Sequence, residues 1–121
     1  MKKILLLAVT LILSANLLAL DSVAVISASK GKVDLHRAAK MIKHKTGDFL
    51  QNNDEIRTGK ESFAAYKYID GSATVKVFSY SIVQVYASAK DKKLSKTVKL
   101  NKGSVFSQIK SDTGPFAVQT P

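Results

Sequence analysis

Residues 63–77 read FAAYKYIDGSATVKV, two alternating runs joined at Asp70-Gly71. No other stretch constrains the fold as tightly. Asp-Gly between β-rich runs favours a type I′ turn, whose two central residues both need positive φ. On the first strand Ala64, Tyr66 and Tyr68 share one face, with Ala65 and Lys67 opposite. On the second, Ala73, Val75 and Val77 share a face, with Thr74 and Lys76 opposite. The stretch is predicted to form a hairpin with one apolar face.

The rest of the chain is punctuated in the same manner. Val23, Val25 and Ile26 open an apolar run that Gly31 breaks, and Val33 and Leu35 alternate with polar neighbours in KVDLH. Gly47-Asp48, the segment QNNDE and Thr58-Gly59 mark further turns. IVQVYA, TVKL, SVFSQI and PFAVQ supply later strands, separated by Gly103 and Gly114-Pro115. AAKMI hints at a helical turn but is too short to stand alone. Roughly seven to nine short strands are expected. The fold class is all-β: a single small domain of short antiparallel strands and hairpins, arranged as a sandwich or a flattened solenoid-like stack.

The first twenty residues, MKKILLLAVTLILSANLLAL, have another character. Lys2 and Lys3 precede an apolar run from Ile4 to Leu20, the layout of a bacterial secretory signal with candidate cleavage after Ala15 or Ala19. The expected organisation is a signal peptide at 1–20 and one domain at 21–121, placed in the periplasm or outside the cell. If uncleaved, the apolar run would anchor the chain in the inner membrane. With no cysteine there is no disulfide, so the core alone must hold the fold. Loss of the two signal lysines leaves 17 basic against 9 acidic residues, a net charge of +8.

That charge is densest in two places. One holds His36, Arg37, Lys40, Lys43, His44 and Lys45, the other Lys90, Lys92, Lys93, Lys96 and Lys99. Neither contains an aromatic residue to stack on bases, which argues against nucleic acid. Both read as solvated loops or hairpin tips, with Arg37, Lys40, Lys43, Lys45, Lys90, Lys92, Lys93 and Lys96 as candidate contacts for an anionic polymer. Tyr66, Tyr68, Phe78, Tyr80 and Tyr86 are a weaker candidate for a sugar-stacking platform, since strand aromatics more often pack in the core.

Chemistry is harder to find. His36 and His44 lack the further ligands a metal site needs. The serines sit in no nucleophile motif, and Asp54 and Asp70 fall where turns explain them. No enzyme activity, cofactor or metal is expected.

The order of the motifs carries a likeness. Gly31 and Val33 come first, then Gly47, Asp48 and Leu50, then Asp54, Ile56, Thr58 and Gly59. Ser62, Ala64, Asp70, Gly71 and Ser72 follow, then Leu100, Gly103 and Val105, and finally Phe116, Val118, Thr120 and Pro121. This series resembles the FecR-like domain family, known from periplasmic regulators of iron-dicitrate-type signalling. The resemblance implies a non-enzymatic module that passes signals by contact with an envelope protein.

There are departures. Asn53 stands where the family tends to have glycine, and asparagine tolerates positive φ. The family's apolar residues after the Asp-Gly turn fall on the positions of Thr74 and Lys76, one place out of phase with Ala73, Val75 and Val77. A bulge near Ser72 or another turn length would restore the phase. Sigma-factor regulators carry a cytoplasmic segment before a membrane helix, whereas three residues precede the apolar run here. A secreted FecR-domain protein is therefore expected. The family's Thr-Pro step leads into a further strand, so a chain ending FAVQTP is expected to lack its closing strand and to leave an unpaired, partner-accepting edge in a marginally stable product. The rival expectation is a basic binder of anionic or sugar polymers.

Overall fold

The computed structural model describes residues 22–90 and 92–121, so the signal read at 1–20 lies outside the described residues. Eleven strands follow one another: β1 (Ser22–Lys30), β2 (Val33–Arg37), β3 (Lys40–Ile42), β4 (Phe49–Gln51), β5 (Glu55–Thr58), β6 (Phe63–Tyr68), β7 (Ala73–Val77), β8 (Ile82–Lys90), β9 (Lys93–Lys102), β10 (Val105–Ile109) and β11 (Phe116–Gln119). They form one sheet in the order β10-β7-β6-β1-β4 and a second in the order β11-β9-β8-β5-β2-β3. Among the described residues there is no helix. The all-β expectation holds, as a sandwich.

The core lies between the sheets because period-2 alternation points alternate side chains inward. The first sheet sends in Val23, Ala24, Ile26, Leu50, Tyr66, Tyr68, Val75 and Val77, and the second Leu35, Ile56, Val83, Val85 and Val98. Each fully buried Val, Leu or Ile contributes about 1.5–3 kcal/mol, which lets the fold stand without a disulfide. Only β2–β3, β6–β7 and β8–β9 are hairpins within a sheet; every other connection crosses between sheets.

The β6–β7 hairpin keeps the phase read from its apolar residues. Tyr66 pairs with Val75 and Ala64 with Val77, and all four are buried. The turn, however, is not type I′. Its loop runs from Ile69 to Ser72, closed by the Gly71 amide donating to the Tyr68 carbonyl at 2.9 Å. Only Gly71 takes positive φ (73°), because the Asp70 carboxylate accepts from the Ser72 amide and hydroxyl (3.0 and 2.6 Å) and holds the aspartate in place. A two-residue turn with both centres at positive φ does occur, at Ala38-Ala39 between β2 and β3 (52° and 64°). Thus AAKMI is half turn and half strand.

The all-antiparallel expectation needs one correction. β11 pairs with β9 in parallel, Phe116 opposite Lys96 and Val118 opposite Val98. The chain reverses from β9 into β10 in the other sheet and reverses again into β11, so β9 and β11 run the same way. FAVQTP therefore begins as an edge strand docked on β9.

Candidate functional site

Two of the eight candidate cations are engaged by the fold itself. The Arg37 Nε and Nη2 atoms donate to the two oxygens of Asp54 at 3.0 and 2.9 Å. Asp54 is fully buried and also accepts from the Gln51 amide at 2.8 Å. Bonding to that carboxylate raises the Arg37 pKa, so the guanidinium is committed to holding β2 against the β4–β5 link. Lys96 is 1% exposed, and its Nζ donates a hydrogen bond to the Thr113 carbonyl at 2.9 Å. It lies on the inward face of β9, in phase with Val98, and cannot meet a polymer. Lys40, Lys43, Lys45, Lys92 and Lys93 are exposed, and the side chain of Lys90 is not among those described. They form no single patch: the first three belong to edge strand β3 and the link after it, the others to the β8–β9 tip, with β2 and β5 between those strands.

The aromatic platform does not form either. Tyr66 and Tyr68 are core residues in edge-to-face contact, ring centres 5.7 Å apart. Phe78 and Tyr80 are exposed in the β7–β8 link, and Tyr86 lies half-buried on β8. Nor do Ser62 and Ser81 face solvent as a reactive set. Ser62 accepts from the Lys32 amide at 2.8 Å and donates to the Lys60 carbonyl. Ser81 bonds the Ser104 amide and carbonyl at 3.0 and 3.2 Å. A Cβ on Gly103 would lie 2.2 Å from the Ser81 hydroxyl oxygen, so only glycine lets the β9–β10 link come this close. These residues close one end of the sandwich.

What remains open is an edge. The two sheets end in β10 and β4, and in β11 and β3. β3 and β4 have three residues each, too few to offer a long template, β3 includes an exposed lysine, and β11, also uncharged, has four. β10 is longer, five residues without a charge, VFSQI, and among the described residues it pairs only with β7. Val105, Ser107 and Ile109 lie opposite buried Val77, Val75 and Ala73, on the inner face. Phe106 and Gln108 lie opposite Lys76 and Thr74, on the outer face.

The strand is incompletely covered. Phe106 and Ile109 are each 50% exposed, and the buried Ser107 hydroxyl has no hydrogen-bond partner among the described residues. The Lys76 ammonium sits 5.9 Å from the Phe106 ring centre. Beside it a depression of about 260 Å³ is lined by Lys67, Thr74, Gln108, Ile109 and Lys110. The geometry can accept backbone hydrogen bonds, apolar cover and negative charge. Sequence reasoning placed a strand at SVFSQI but could not see it as an edge, because strand order is set by pairings distant in sequence. The available signal was its lack of charge in a lysine-rich chain.

Residues 54–121 match the family described as FecR protein, from the buried Asp54 through β11. The earlier part of the likeness, Gly31 to Leu50, lies outside that match. No curated protein and no solved structure matches the chain. The match takes in more than half of the residues: the chain belongs to the FecR protein family.

Proposed function

We propose that this chain is a non-enzymatic module of the bacterial envelope, periplasmic or at the cell surface, that works in signalling through contact with another protein. The observation that carries the reading is the free β10 edge, uncharged and half-covered, in a fold whose motif residues are otherwise spent on turns and packing. Strand edges are a common means of protein contact, because backbone groups give affinity and alternate side chains give choice. Family membership supports a signalling-related role, and the apolar leader supports export. The test is capture from envelope extract with the folded protein as bait. A specific protein retained at physiological salt is the expected result, and recovery of no protein overturns the reading.

Five exposed lysines from the two dense stretches, at 40, 43, 45, 92 and 93, favour a second reading, contact with anionic or sugar polymers of the envelope. Binding to lipopolysaccharide would then fall steeply with salt. Salt-independent binding would rule that electrostatic reading out.

A further inference from the structure

We propose that the free edge of β10 receives an extended segment of a partner protein in which acidic side chains alternate with apolar ones; this rests on the protein-contact reading above. A strand laid beside β10 continues its sheet, and its side chains alternate between the two faces as those of β10 do. On the inner face its neighbours are Val105, Ser107 and the half-exposed Ile109. Apolar side chains belong there, since they extend the core over atoms that solvent now touches.

The outer face asks for the opposite chemistry. Lys76 lies over Phe106, and Lys67 and Lys110 flank the depression next to Gln108. The five strands of this sheet contain no Asp or Glu, and their only charged residues are Lys30, Lys67 and Lys76. Two carboxylates stand in the loops at one end. Asp70 is occupied by Ser72; burial works to raise its pKa, but the bonds from Ser72 and the charge of Lys96 outweigh that and hold it low. Asp112 follows Lys110 in the β10–β11 loop. Along the strand itself the field is positive, so Asp or Glu at alternate positions is the complementary choice. A second copy of this chain is disfavoured by overall charge alone, since the domain at 21–121 carries a formal net charge of +8.

The experiment uses the purified protein and two labelled peptides of about nine residues, one alternating Glu with Val and one alternating Lys with Val. Anisotropy reads affinity, and amide shifts locate the site. The expected result is preference for the Glu peptide, with shifts at Val105–Ile109. The double substitution Lys76→Glu with Lys110→Glu, at exposed positions, should weaken that binding by about tenfold or more and transfer preference to the Lys peptide. Equal binding of both peptides, indifference to the double substitution, shifts centred on β3, β4 or β11, or self-association that blocks the peptide would each overturn the proposal. Envelope capture separates it from the broader reading. If the double variant retains the captured protein as well as the parent does, the edge proposal falls and the protein-contact reading stands; if the parent captures nothing, that reading falls first.

Discussion

Asp54 is held from three directions, by two guanidinium nitrogens of Arg37 and by the Gln51 amide, and water reaches none of it. Removing one partner of such a pair leaves the other buried and uncompensated, which typically costs about 3–5 kcal/mol. Arg37 itself is partly exposed, so Arg37→Ala is expected near the lower figure, read as a lowered urea midpoint with an unchanged slope. Tyr66 makes the opposite case. Its hydroxyl is buried without a hydrogen-bond partner among the described residues, and burial pushes its pKa well above the ordinary value. Tyr66→Phe removes the orphaned group, so stability should be unchanged or higher by about 1 kcal/mol.

Tyr68 is also pushed up by burial, to about 12 from an ordinary 10. Because the folded pKa lies above the unfolded one, this contribution is complete below pH 10 and is lost as pH rises through about 12. Melting temperature should therefore fall across that window, and Tyr66→Phe with Tyr68→Phe should flatten the fall.

At the scale of elements, β11 depends on a lysine that sequence reading assigned to the surface. Lys96 bonds the Thr113 carbonyl through its side chain, and its amide donates to the Pro115 carbonyl at 2.9 Å. Lys96→Ala should leave that carbonyl without the ammonium and open a void beneath the β10–β11 loop. Hydrogen exchange at Phe116–Gln119 is expected to quicken strongly, with β6 and β7 still protected. Uniform quickening in all strands would mean that Lys96 serves the global fold instead.

The alternation Leu94, Lys96, Val98, Leu100 already placed Lys96 on the apolar face of β9, but a lysine-rich stretch invited a surface reading. The β6–β7 hairpin was legible because its apolar phase and its turn residues agree. β3 was not, since Ala38-Ala39 adopts positive φ without the Gly or Asn that announces such turns. The pairing of Arg37 with Asp54, and of β11 with β9, joins residues far apart in the chain, which local pattern does not encode.

At the scale of the whole molecule, the strands of both sheets carry a positive balance. Those of the sheet that ends in β10 have three lysines and no carboxylate, and those of the other have eight Lys or Arg against Asp34 and Glu55. The fold was legible from alternation, but the candidate site was not, because an edge exists only once all strands have found their neighbours. A protein partner seated on β10 would lie within reach of Gln108, on β10, and away from Gln84, on β8. Photo-crosslinkers placed at these two positions in living cells should give a discrete protein adduct from Gln108 and none from Gln84; equal adducts from both, or none from Gln108, would overturn the β10 contact.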